Sequence, residues 1–195
     1  MQRQILAPVL IVTSIVVATA VVTARGGDTQ EPTKVNPDAA AIADFMKRVD
    51  AYAALHDKVE SMLQEPAQDG RPEAVVEHQR EFAKLMQKER QYAKPGDIIT
   101  KPMRNVIRRL LASVFRGPDG PEIKRSILDT YTGNPVLQVN QTYPDNMPYS
   151  TVPPPILQGL PALPDALQYR FVGRRLILLD PHARLVVDIV ENVFP

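Results

Sequence analysis

The chain has no cysteine among its 195 residues. Disulfide bonds, thiol catalysis and thiolate metal ligands are therefore excluded. A lipoprotein is excluded as well, because its acylation requires a cysteine. The absence is compatible with an oxidising compartment. Any chemistry of this protein must come from its other side chains.

An excess of charge of either sign is also missing. Residues 1–24 contain one basic residue, Arg3, so 23 − 1 = 22 Lys and Arg stand against 22 Asp and Glu in the remainder. This balance argues against nucleic acid or an anionic membrane surface as the main partner. The sequence also lacks a Gly-x-Ser-x-Gly elbow, a glycine-rich phosphate loop and a His-Glu-x-x-His helix. No class of enzyme is indicated.

A long apolar segment lies at the N-terminus. Residues 5–24 carry no charge, and a run of this length matches the hydrocarbon core of a bilayer. Residues 1–24 are thus expected to be a cleaved signal peptide or a retained membrane anchor, with a buried hydrophobic element as a third reading. Either of the first two assigns the rest of the chain to an extracytoplasmic location: periplasmic, secreted or anchored to the inner membrane. Residues 25–37 are polar and predict a flexible spacer.

A helical domain is predicted over residues 38–133, beginning with two long helices. Asn36-Pro37-Asp38 is typical of a helix start. The first helix then shows an apolar seam with 3-4 spacing, formed by Ile42, Phe45, Val49, Tyr52, His56, Val59 and Leu63. It is expected to end at Glu65-Pro66. The second opens at Pro72 and repeats the spacing with Val75, His78, Phe82, Leu85 and Tyr92, flanked by Ala83 and Met86. The short loop between them predicts an antiparallel helical hairpin.

Two shorter helices are expected to follow. Thr100 can cap the third, which has Pro102 in its first turn and ends at Gly117. Its apolar face consists of Met103, Val106, Ile107, Leu110, Leu111, Val114 and Phe115. The fourth is predicted from Pro121 to Tyr131. Both are expected to pack across the hairpin.

Residues 134–168 are rich in proline: the chain has 19 prolines, and eight lie between positions 135 and 164. Such a segment is too proline-rich for a helix or a central strand and favours extended polyproline II. Two readings stay open, a strap over the helical core and a free tether, and its apolar side chains favour the strap. Residues 169–195 predict a β-hairpin with the turn Asp180-Pro181-His182-Ala183, and residues 169–172 can add a third strand.

The hairpin carries a resemblance to a known group. The string YRFVGRRLILLDPHARLVVDIV, within about residues 168–190, resembles the C-terminal element of small bacterial exported proteins of the RcnB type. That group is associated with periplasmic nickel and cobalt homeostasis. The resemblance implies a bacterial exported protein, and we do not extend it to metal handling. Residues 93–98 also resemble an Ala-x-x-Gly-Asp-Ile signature of other bacterial proteins, which implies no activity.

The three histidines are the remaining candidates for chemistry. Folding the helical hairpin brings His56 and His78 to similar levels of the seam. Glu60 and Glu81 lie one turn away from them. This group could bind zinc or nickel or form a pH-sensitive layer, and the plainer alternative is two hydrogen-bonded interface histidines. His182 is expected to be a solvated turn residue.

Several other polar residues have plainer explanations. Four arginines on the third helix could bind phosphate, lipid headgroups or an acidic partner, or simply form a solvated face: Arg104, Arg108, Arg109 and Arg116. A hydrolase built on Glu60, Glu77, Asp180 and Asp188 lacks any distinguishing spacing.

The sequence therefore predicts a mainly α, α+β protein: an antiparallel helical hairpin, two shorter helices, a proline-rich strap and a C-terminal β-hairpin. No catalytic, cofactor-binding or metal-binding residue is assigned. The leading interpretation of function is a non-enzymatic interaction or structural module of the bacterial envelope. Its partner would be another protein or a second copy, with membrane contact through residues 5–24 if they are uncleaved. The alternative is a periplasmic metal- or pH-responsive protein that uses the pair His56 and His78.

Overall fold

The structure, a computed structural model, describes residues 36–64, 72–130 and 136–194. Within them lie five helices and one sheet, which confirms the mainly α, α+β class. The helices are α1 Pro37–Glu60, α2 Pro72–Glu89, α3 Lys101–Arg116, α4 Gly120–Thr130 and α5 Pro154–Leu157. The strands are β1 Gln168–Val172, β2 Arg175–Asp180 and β3 Leu185–Val190. No helix in these ranges is long and apolar enough to cross a membrane. The apolar segment 5–24 and most of the proposed spacer lie outside the described residues.

Helix α1 begins as its sequence predicts. The Asn36 side chain accepts a hydrogen bond of 3.0 Å from the backbone N–H of Asp38, and Pro37 occupies the first turn. The seam is buried inside this one chain at Phe45, Val49, Tyr52 and Val59. The helix ends at Glu60, before the predicted Glu65-Pro66, because the chain tightens there into i→i+3 hydrogen bonds over residues 59–63.

Helix α2 runs antiparallel to α1, so the predicted helical hairpin is confirmed. His56 contacts Phe82, whereas Glu60, one turn later in α1, contacts His78, one turn earlier in α2. The predicted apolar face of α2 is partly wrong. Val75 is 51% exposed and Tyr92, beyond the end of the helix, is 81% exposed, while Phe82, Ala83 and Met86 are buried. The buried face is rotated relative to the predicted one because the C-terminal end of α2 also faces the sheet. Arg90, the residue directly after the helix, donates to the carbonyl of Val187 in β3 at 3.0 Å.

Helices α3 and α4 complete the helical part. Helix α3 buries a stripe with i, i+4 spacing: Met103, Ile107, Leu111 and Phe115. Thr100 occupies the N-cap position, but its hydroxyl makes no capping bond, contrary to the prediction. Helix α4 begins at Gly120, where a Cβ atom would lie 2.2 Å from the carbonyl oxygen of Phe115. Only glycine permits this close approach of the backbone.

The predicted hairpin and its third strand are both confirmed. The three strands form an antiparallel sheet in the order β1-β2-β3, with Asp180 pairing with Leu185 at the hairpin turn. All of β3 and nearly all of β2 are buried. The strands are therefore covered on both faces and form part of the core.

The proline-rich segment packs on the sheet as a strap over residues 136–167, which confirms the strap reading. At the start of β3, the N–H of Val186 donates to the carbonyl of Gln141 at 2.9 Å, and the carbonyl of Val186 accepts from the N–H of Asn140 at 2.8 Å. Ser150 pairs with Phe171 of β1 in both directions, at 2.8 and 2.9 Å. The strap thus covers parts of both sheet edges. It also contains the one-turn helix α5, which was not predicted and is possible because prolines are tolerated in a first turn.

A buried carboxylate joins the sheet to the loop between α2 and α3. Asp188 is fully buried, and its two oxygens accept from the backbone N–H groups of Gly96, Ile98 and Ile99 at 2.9, 2.9 and 2.7 Å. It also accepts from the N–H of Ile189 at 2.7 Å. The Ala-x-x-Gly-Asp-Ile signature is therefore a loop whose amides bind a strand carboxylate.

Candidate metal centre

All three histidines of the chain meet at one place. His56 comes from α1, His78 from α2 and His182 from the turn between β2 and β3. The ring of His182 lies 5.6 Å from that of His56 and 6.0 Å from that of His78. The centre is thus built from three elements that are distant in sequence.

Glu60 lies between two of these histidines. Its Oε1 is 3.7 Å from His78 Nε2, and its Oε2 is 3.7 Å from His182 Nδ1. One ligand atom from each of the three side chains lies within 4.8 Å of the others. All three side chains are partly buried. Because the 3.7 Å separations exceed hydrogen-bond length, these groups face a common space without bonding each other directly.

His182 is held in place by its own turn and by an aromatic ring. Asp180 Oδ1 accepts from the backbone N–H groups of His182 and Ala183, at 2.9 and 2.8 Å. The imidazole stacks on Phe82 with the centroids 4.5 Å apart and the planes at 16°. The expectation of a solvated turn residue is only partly right, because the side chain is 32% exposed while its ring packs on Phe82 of α2.

Asp180 connects the same turn to α1. It is fully buried, and its Oδ2 accepts a 2.7 Å hydrogen bond from the hydroxyl of Tyr52. Burial raises the pKa of Tyr52, and the nearby Asp180 carboxylate raises it further. Tyr52 therefore stays protonated and fixes the carboxylate that positions His182.

Several buried polar atoms at the centre lack hydrogen-bond partners among the described residues. They are both ring nitrogens of His56 and Oε2 of Glu60. His56 Nε2 is 3.7 Å from Asp180 Oδ2, which is again too long for a hydrogen bond. A buried acceptor without a partner costs about 1–3 kcal/mol. A cation bound by Glu60 would remove this cost for its oxygen.

The residues proposed from sequence are only partly brought together. His78 and Glu60 belong to the cluster, while His56 lies beside it and contributes no atom to the group of three. Glu81 and Glu77 are exposed and make no ion pair with another described residue. The arginines of α3 serve elsewhere: Arg109 pairs with Asp38, and Arg108 donates to the carbonyl of Glu191 at 3.0 Å.

The ligand set has a recognisable chemistry. Two imidazoles and one carboxylate suit zinc and neighbouring first-row divalent ions, whereas calcium and magnesium prefer oxygen ligands. Tetrahedral zinc with bonds near 2.0–2.1 Å holds adjacent ligand atoms about 3.3–3.4 Å apart. The 3.7 Å separations from Glu60, and the 4.8 Å within which all three ligand atoms lie, both exceed this spacing, so the three side chains would have to move closer together to bind zinc. Three protein ligands leave at least one coordination position open.

No protein-family model matches the chain, and comparison with curated proteins and with solved structures gives no match either.

Proposed function

We propose that this protein is an extracytoplasmic binding protein for a divalent transition-metal ion, held by His78, His182 and Glu60. The observation that carries the proposal is the convergence of these three partly buried side chains, with their ligand atoms within 4.8 Å of one another. Residues 5–24 would deliver the protein to its compartment. The proposal develops the metal-responsive alternative from the sequence and replaces His56 with His182 as the second imidazole.

The alternative explanation is that the three side chains meet at an interface between elements and interact only as ion pairs, without a metal ion. It accounts less well for the observed contacts. Glu60 Oε2 is buried without a hydrogen bond, and its nearest basic atom lies 3.7 Å away. In an ordinary packed interface, buried polar side chains are expected either to lie at hydrogen-bond distance from each other or to turn away from the interior. A shared cation accounts for the separation and the mutual orientation of all three groups.

The geometry gives less support to the leading sequence interpretation, an interaction module built on the helical seam. The buried seam residues Phe45, Val49, Tyr52 and Val59 already pack in the core of this chain. Binding of a protein partner or a second copy would have to use other surfaces. Binding rather than hydrolysis is favoured because Asp180 and Asp188 are fully buried and accept hydrogen bonds from loop amides.

A zinc titration of two matched glutamate variants tests the site. Glu60→Gln is expected to weaken zinc binding at least about tenfold, because a neutral amide replaces a charged ligand. Glu81→Gln makes the same change on an exposed face of α2 and is expected to keep the affinity of the unmodified chain. Isothermal titration calorimetry of the full chain in mild detergent near neutral pH measures both.

Equal affinities for the two variants would refute this ligand set. Absence of zinc and nickel binding to the unmodified chain would refute the proposed function itself.

A further inference from the structure

A groove lies directly beside the proposed metal centre. Helix α2 forms one wall, and the strap together with the turn between β2 and β3 forms the other. Its volume is about 490 Å³, which is within the range of small-molecule sites. His182 lines this groove and is also one of the three proposed metal ligands. Glu60 and His78 do not line the groove, so the groove adjoins the proposed metal centre at His182.

The groove carries an excess of positive charge. Arg80, Lys84 and Arg184 line it together with one acidic residue, Asp145. Arg184 forms an ion pair with Asp145. Arg80 and Lys84 are exposed and pair with no acidic group in the part of the chain that the structure describes. Two cationic side chains are thus available to a ligand.

We propose that the groove binds a small organic dianion whose two carboxylates have different partners. One carboxylate completes the coordination of the metal ion beside His182, and the other lies against Arg80 and Lys84. This inference rests on the proposed metal-binding function and specifies its ligand. The protein would then bind its metal as a ternary complex with a dicarboxylate.

The positive charges in and beside the groove favour a ligand with two anionic groups over a ligand with one. A lone carboxylate on the ion would leave Arg80 and Lys84 without a counterion, and a lone carboxylate on these side chains would be an exposed and weak pair. Joining both contacts in one molecule makes the second contact intramolecular, which increases the affinity without adding another protein contact.

The experiment uses cobalt as the probe metal, because the visible spectrum of Co²⁺ changes when a new oxygen ligand binds. The full chain in mild detergent is loaded with Co²⁺ and titrated with succinate, and separately with acetate. Succinate is expected to change the spectrum at concentrations at least about tenfold lower than acetate does. The variant Arg80→Gln/Lys84→Gln is expected to lose this advantage while still binding Co²⁺.

A matched control removes two charges elsewhere. Lys47→Gln/Lys88→Gln alters exposed side chains of α1 and α2 that do not line the groove, and it should bind succinate as the unmodified chain does. Equal effects of succinate and acetate, or unchanged succinate binding in Arg80→Gln/Lys84→Gln, would overturn the inference while leaving the metal site intact. Failure of the unmodified chain to bind Co²⁺ would overturn the proposed function, and the inference would fall with it.

Discussion

Asp188→Asn is expected to lower the free energy of unfolding by about 3–5 kcal/mol, because it removes the charge from a fully buried group that joins β3 to the loop before α3. The carboxylate accepts four backbone hydrogen bonds, three of them from residues 96–99. Hydrogen bonds to an ionised acceptor are about twice as strong as neutral ones.

The asparagine amide cannot replace this carboxylate. The amide oxygen can accept some of the hydrogen bonds. The amide NH₂ group, however, would face a backbone N–H of the loop, and because both groups are donors, neither would have an acceptor. Arg90 adds to the loss. It is buried, its guanidinium donates to the carbonyl of Val187, and the charge of Asp188 helps to offset the burial that lowers the pKa of Arg90. Removing that charge makes the buried cation less favourable.

Urea denaturation of the full chain measures the effect, and Asp50→Asn provides the matched control. Asp50 is an exposed residue of α1, and its change is expected to cost less than about 0.5 kcal/mol. If Asp188→Asn lowered the free energy of unfolding no more than Asp50→Asn does, the claim that Asp188 anchors the loop to the sheet would be contradicted.

Zinc is expected to stabilise the folded chain by about 4 kcal/mol when free zinc is about a thousandfold above its dissociation constant. The proposed ligands come together only in the folded state, because Glu60, His78 and His182 lie on two helices and a distant turn. Binding therefore favours the native state over the unfolded one.

The stabilisation should be concentrated in the first half of α2. No side chain between residues 72 and 81 is fully buried. The approach of His78 to Glu60 and its stacking on His182 connect this half to the rest of the protein. Zinc is thus expected to slow amide hydrogen exchange in residues 72–81 more than in the buried strand β3.

Denaturation with and without zinc, combined with hydrogen exchange, tests this prediction. His78→Ala should abolish both effects, and Glu81→Gln should preserve both. A zinc-induced gain in stability that survives His78→Ala would locate the bound ion elsewhere in the chain.

The local patterns of the sequence were sufficient to predict the helical hairpin and the sheet. The buried residues from Phe45 to Val59 recur with the helical period, as expected for a helix that packs against a neighbour along one face. The hairpin of β2 and β3 is determined by the turn that joins the two strands. Such features depend on residues close in sequence. The pairing of α1 with α2 also brought Glu60 near His78, because a short loop between antiparallel helices fixes their register.

The third proposed ligand, His182, could not be predicted in this way. His182 reaches the helices only through the packing of the sheet against α2, and no periodicity encodes that contact. Its one local signal was the Asp180-Pro181 turn, which predicts the conformation of the backbone but gives no information about what covers the imidazole. The role of residues 93–98 could not be predicted either, because it also depends on a contact between residues distant in sequence. The amides of this loop donate to a carboxylate about 90 positions further along the chain.

X-ray absorption spectroscopy of the zinc-loaded full chain tests the central claim most directly. It should show one zinc ion with two imidazole nitrogens and oxygen ligands at about 2.0–2.2 Å. His182→Ala should remove one imidazole from the pattern, whereas His56→Ala should leave both. Zinc surrounded only by oxygen, or a spectrum that loses an imidazole in His56→Ala but not in His182→Ala, would contradict the centre formed by Glu60, His78 and His182.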